Sequence, residues 1–182
     1  ASVSNTVDLT SALANTAVAH IVLANGTYYL SAELSITRSV IIEAAPGATV
    51  TLKAGQQARV LNINPGSSGV VQLIGLGITG GNLAPAGWSS GGGVSVFSGT
   101  VMITSSTITG NAASGGGGGV YVNGGRVTIS SSTISGNIAT FGGGVYIDGG
   151  TVTLSSCTIT GNTATCSGGC GGGGGGVHVS GG

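Results

Sequence analysis

Few residues in this 182-residue chain could move protons or hold a metal ion. It carries four acids (Asp8, Glu33, Glu43 and Asp148), four Lys/Arg, the histidines His20 and His178, and three cysteines. Hydrolysis of a glycosidic bond needs two carboxylates at a set separation across that bond. No two of these acids share a spacing that would stack them on one face. A zinc site needs a cluster of Cys, His or acidic ligands. Cys166 and Cys170, in the run CSGGC, are one C-x₃-C pair with no second pair beside it. A small loop disulfide between them is the expected use, with free thiols the alternative. No catalytic residue, metal or cofactor is expected.

The charges balance at net zero. With only four Lys/Arg in the chain, this argues against nucleic acid or an anionic membrane as partner, since both need clustered Lys/Arg. No run approaches the roughly 20 apolar residues of a membrane helix, so membrane insertion is not expected either. The first residues lack the basic and apolar regions of a leader peptide, and Ala1 suits a chain exposed by cleavage. Scarce charge, abundant Ser, Thr and Gly, and a loop disulfide point to an extracellular or cell-surface setting.

The elements that must position any site come from a repeat. Residues 117–137 read GGGVYVNGGRVTISSSTISGN, and residues 142–162 read GGGVYIDGGTVTLSSCTITGN. A third copy starts at residue 91 and a partial fourth, GGGVHVSGG, at residue 174, giving steps of 26, 25 and 32. Each copy holds three short alternating apolar/polar runs bounded by Gly and Ser, the pattern of strands. In the second copy these are residues 120–122, 127–129 and 133–135. Such runs cannot bury their edges alone, and stacking the copies buries them. The fold class expected is all-β: a right-handed, single-stranded parallel β-helix of about 25 residues per coil, rising about 4.8 Å per coil. Residues 1–18 are expected to cap it, with an amphipathic helix over 6–18 starting at Asn5 or Thr6. Residues 19–90 form irregular coils and 91–182 the regular ones, the last incomplete, all in a single domain.

This register puts specific side chains in columns. Asn82, Asn111, Asn137 and Asn162 each follow the third strand, and stacked Asn at a corner is expected to form a structural hydrogen-bonded ladder. Loops of varied length, 83–90, 112–116, 138–141 and 163–173, leave that same corner. The outward column of the first strand runs Asn62, Ser95, Tyr121, Tyr146 and His178. It is expected to be a stiffening ring ladder, with sugar binding the alternative. The outward third-strand pairs Thr107/Thr109, Thr133/Ser135 and Thr158/Thr160 form a flat T-x-T array. That array suits an ice-facing surface, or simply the strand preference of Thr. Cys157 shares a column with Ser106 and Ser132 and reads as a small buried residue. Asp148 lies one coil from Arg126, where a weak exposed ion pair is expected. Asn25-Gly26-Thr27 is a formal N-glycosylation sequon and equally an ordinary turn, and outward Ser and Thr could carry O-glycans.

The stretch LANGTYYLSAELSI and the repeated T-I-[TS]-G-N…GGGV resemble the right-handed parallel β-helix repeat proteins of the pectate-lyase-like superfamily, over essentially the whole chain. GGGVYV followed by SGN is loosely similar to the adhesin-like repeats of polymorphic surface proteins, with Ile where their aromatic residue stands. The resemblance implies the fold and spans lyases, hydrolases, adhesins and fibres, so it leaves function open. Its lyases hold Ca²⁺ with clustered acids, which the four scattered acids here do not match. The expected function is a non-catalytic extracellular structural protein. It would be a building block of a surface fibre or adhesin whose copies stack head to tail, the self-partner this implies. The alternative is an ice- or glycan-binding module using the Thr or Tyr columns, with carbohydrate as partner. A polysaccharide lyase or hydrolase ranks last.

Overall fold

The computed structural model describes residues 1–55, 57–83, 87–166 and 173–180. It is a parallel β-solenoid in which each coil adds a strand to each of three sheets. The first sheet stacks Leu34–Ile36, Leu61–Ile63, Val94–Val96, Val120–Val122, Val145–Ile147 and Val177–Val179. The second runs from Ser2–Val3 and His20–Leu23 through Val40–Ala44, Val70–Ile74, Thr100–Thr104 and Arg126–Ser130 to Thr151–Ser155. The third stacks Gly26–Leu30, Val50–Ala54, Leu76–Thr79, Thr107–Thr109, Thr133–Ser135 and Thr158–Thr160.

Alternation fixes which side chains enter the core. Val94, Val120 and Val145 are paired in one inward column, and Ile108, Ile134 and Ile159 in another. The irregular coils keep the same columns: Leu61 and Ile63 pair with Val94 and Val96, Val71 and Leu73 with Val101 and Ile103, and Ile78 with Ile108. These side chains are fully buried except Ile159, in the last coil, which is partly covered. Each inward β-branched side chain meets its counterpart one coil away, so the repeat spacing and the packing are one constraint.

The corner between the second and third sheets turns on a left-handed residue. Ser105, Ser131 and Ser156 have φ of 51°, 49° and 53°, a conformation that costs a non-glycine residue energy and recurs only where the surroundings impose it. The residue after each is the hydrogen-bonding partner of that corner. The Ser106 N–H donates to Ser132 Oγ at 3.0 Å, and Ser132 Oγ donates to Ser130 O at 2.7 Å. Cys157 takes this place in the next coil as a free thiol and is half-buried, where full burial was expected, because no further described coil packs on this corner. Its Sγ lies 3.2 Å from Ile129 O and 3.3 Å from Ser155 O.

The N-terminal helix α1 spans Thr6–Ala14, shorter than the 6–18 that its apolar period suggests. Asn15 ends it: its backbone turns extended and its side chain accepts from the Ala17 N–H at 3.0 Å. At the other end Asn5 Oδ1 accepts from the Asp8 N–H at 2.9 Å, and Asn5 Nδ2 donates to Asp8 Oδ2 at 2.7 Å. This reciprocal cap satisfies an otherwise orphaned helix donor. Arg38 supplies the C-terminal counterpart, donating to the carbonyls of Ala12, Leu13 and Asn15 at 3.0–3.1 Å. Leu9 and Ala12 cover the open core. The cap region also contains a strand that was not expected, Ser2–Val3, paired with Val22 and Leu23.

Two further differences arise at the loop corner. The loops begin with short parallel pairing of their own: Asn82 with Ala112, Ala112 with Ile138, and Ile138–Ala139 with Thr163–Ala164. Asn82 is therefore one position out of the Asn column, and Gly81 occupies its place, donating its N–H to Asn111 Oδ1 at 3.0 Å. The extra glycine in Gly80-Gly81-Asn82 shifts the frame.

Candidate functional site

The corner loops and the first sheet enclose an open groove of about 440 Å³. Its floor is the ring column. Tyr121 stacks on Tyr146 with centroids 5.8 Å apart and planes 11° apart, and Tyr146 stacks on His178 at 5.2 Å and 2°. Strand register aligns these residues directly. Their faces are covered by one another, so the column presents ring edges and hydroxyls to solvent, not platforms for a sugar. Gly116 makes room for it: a Cβ there would fall 2.5 Å from the Tyr146 ring.

The walls come from two corner-loop residues and from Phe97, which stands in the column of Asn123 and Asp148. Trp88, from loop 83–90, leans on Phe141, from loop 138–141, with centroids 5.9 Å apart and planes at 58°. Phe141 also contacts Tyr146 and His178 at 6.2 and 5.6 Å. Phe97 meets Tyr121 edge-on at 6.2 Å on the opposite side. Trp88 is 75 % exposed, which leaves much of the ring open to the groove and solvent.

Polar groups converge at one end. Asn123 Nδ2 donates to the Tyr121 hydroxyl at 3.0 Å, and that hydroxyl donates to Asp148 Oδ2 at 3.1 Å. Asp148 Oδ1 accepts from Ser180 Oγ at 2.7 Å. Partial burial raises the Tyr121 pKa above the ordinary phenol value; the Asn123 hydrogen bond lowers it and the neighbouring Asp148 carboxylate raises it further. Asp148 thus serves a tyrosine, an asparagine and a serine. Among the described residues it makes no ion pair with the expected partner Arg126; its hydrogen bonds go to Tyr121, Asn123 and Ser180 instead. Arg59 lines the other end, held by Ser90 O at 2.9 Å, Gly91 O at 3.3 Å and Glu33 Oε2 at 3.4 Å.

The remaining candidates are placed elsewhere. Ser95, expected to face outward beside Tyr121, is fully buried against Gly91, and among the described residues its Oγ and the nearby Asn62 Oδ1 have no hydrogen-bond partner. Asn111, Asn137 and Asn162 are joined Nδ2 to Oδ1 at 3.0 and 2.9 Å. Thr107, Thr133 and Thr158 align in one outward column, and Thr109, Ser135 and Thr160 in the next. Upstream the second column continues as Thr79, Lys53 and Tyr29, which break its flatness. Asn25 is exposed and accepts from the Thr49 N–H at 2.9 Å. Cys170 lies outside the described residues, and so does the expected Cys166–Cys170 bridge. Of the acids, Glu43 pairs with His20 at 2.9 Å and Asp8 caps the helix. Among the described residues no three Cys, His or acidic side chains converge as metal ligands, and no helix is long and apolar enough to cross a membrane.

The sequence reading missed Trp88, Phe97, Phe141 and Arg59. Trp88, Phe141 and Arg59 come from segments that vary between copies, so column alignment passes over them; Phe97 stands in the column of Asn123 and Asp148, where the other copies carry polar residues. The one available signal was that Trp88 and Phe141 both lie in loops leaving the same corner. No protein-family model, curated protein or solved structure matches the chain.

Proposed function

We propose that the chain is a non-catalytic, extracellular β-solenoid that binds carbohydrate in the corner-loop groove. The observation that carries this reading is the open Trp88 ring in the same groove as the Tyr121 hydroxyl and the Asp148 carboxylate, which are linked by a hydrogen bond. Sugars present an apolar C–H face and a rim of hydroxyls, so they need an aromatic platform next to fixed polar groups, as ligand sites generally do. A rigid rod with decoration concentrated at one corner suits display of such a site. Kinship with pectate-lyase-like or adhesin-like proteins is part of this proposal and is supported by the repeat pattern. Trp88 is the chain's single tryptophan, so its fluorescence reports directly on the groove. Oligosaccharides that bind should shift its emission, and Tyr121→Phe should weaken them by about tenfold through loss of one hydrogen bond. An emission spectrum indifferent to a broad glycan panel would end this reading.

A second reading, assembly by end-to-end stacking into a fibre, is supported by the last described coil. Val152, Leu154 and Ile159 are only partly covered there, and Val177 and Val179 are 37 % and 58 % exposed. The edge strands of that coil carry backbone groups that another coil could pair. The Thr columns support an ice-facing alternative less well, since Lys53 and Tyr29 interrupt the second of them.

A further inference from the structure

Resting on the carbohydrate reading, we propose that the groove selects uncharged sugar chains and rejects uronic-acid polymers. Among the described residues two ionic side chains line it, Arg59 and Asp148. Arg59 brings little attraction for an anion. Its Nη1 faces Glu33 Oε2 at 3.4 Å, its Nε and Nη2 point at the carbonyls of Gly91 and Ser90, and its side chain is 16 % exposed. Glu33 is itself held, accepting from Asn62 Nδ2 at 3.0 Å. The guanidinium is therefore spent on anchoring residues 90 and 91, the segment that carries Trp88 into place.

Asp148 is different. It is exposed, and among the described residues it forms no ion pair; its partners are Tyr121, Asn123 and Ser180, at 3.1, 3.4 and 2.7 Å. Those are three hydrogen bonds to two oxygens, and an ionised carboxylate offers about four acceptor sites. One acceptor is left for a ligand hydroxyl, a charge-assisted bond that a neutral sugar can donate to. A uronate placed against the same carboxylate sets like charges within a few ångströms with no cation between them. At that range in a partly hydrated site the repulsion is worth on the order of tenfold or more in affinity. Trp88 binds either sugar's apolar face alike, so the discrimination comes from Asp148.

The test uses the whole chain and Trp88 emission as readout. Neutral hexose oligomers (gluco-, manno- and galacto-oligosaccharides) are titrated alongside oligogalacturonate and oligoguluronate of matched length. The expected result is binding by at least one neutral series and affinity at least about tenfold weaker for both uronates. Added salt should strengthen residual uronate binding by screening the repulsion and leave the neutral ligands almost unchanged. Asp148→Asn should narrow the gap between the two classes to within about threefold. Uronates that bind as tightly as the neutral series, or weaken with salt, overturn the selectivity while leaving a carbohydrate site standing. Silence from every saccharide overturns both the selectivity and the reading beneath it. The salt series needs no variant, so a poorly folded Asp148→Asn would not protect the proposal.

Discussion

Asn137 shows how one side chain can hold a corner of this fold. It is fully buried. Its Nδ2 donates to Ile108 O and Asn162 Oδ1, both at 2.9 Å, and its Oδ1 accepts from the backbone and side-chain nitrogens of Asn111, both at 3.0 Å. Removing it strands donors and acceptors that water cannot reach, at about 1–3 kcal/mol each. The adjacent glycines leave no room to compensate: a Cβ at Gly119 would sit 2.6 Å from Gly144 O and 3.0 Å from Asn137 Nδ2. Asn137→Ala should therefore cost about 2–4 kcal/mol in chemical denaturation. Asn162→Ala, in a half-covered coil, should cost visibly less. Equal losses at the two positions would mean that the ladder is not what makes the corner rigid. This much could be read from the recurring Gly-Asn pairs, because a ladder needs one residue type at one spacing. The slip at Asn82 could not, since one additional glycine changes the frame without changing the composition.

The cap and first coils form the next scale. Tyr28 ties them together: its buried hydroxyl lies 2.8 Å from Val3 O and 3.0 Å from Ala24 O, sharing one proton between two carbonyls. Burial is the main reason its pKa is raised; the Ala24 hydrogen bond opposes this and Asp8 adds slightly to it. A phenol whose pKa is higher folded than unfolded contributes fully below the unfolded value, about 10. That contribution fades as pH climbs from there through the folded value, because the unfolded chain ionises first. Tyr28→Phe should be less stable than the parent at neutral pH, and the gap should shrink above about pH 10. A gap that stays constant into strong alkali would rule out this coupling. Strands at this scale were legible wherever apolar alternation ran three residues or more. The pair Ser2–Val3 and the corner pairing at Ile138–Ala139 were not, being two-residue strands without a period to detect. The groove escaped for a related reason: Phe97, Trp88 and Phe141 converge through the loops and turns of three different coils, and no repeat encodes their meeting.

Across the whole molecule the core is uneven, and that unevenness has a measurable consequence. Ile129 and Leu154 occupy the same inward column one coil apart. Ile129 is fully buried, while Leu154 is only partly covered. A solenoid is stabilised by each coil and by each contact between neighbours, so a residue is worth what is stacked on both of its sides. Ile129→Ala should cost the full penalty of a buried cavity, about 2–5 kcal/mol. Leu154→Ala should cost a fraction of that in dilute solution, because its site is already open to water on one side. Stacking of a second copy on this coil would close that side, and mass action would then make the cost of Leu154→Ala grow with protein concentration. Ile129→Ala would stay constant over the same range, since its neighbours are fixed within the chain. Denaturation of both variants across a broad concentration series separates the possibilities. A rising penalty confined to Leu154 places the self-contact on this coil and supports the fibre reading, whereas two flat lines count against stacking of copies on it.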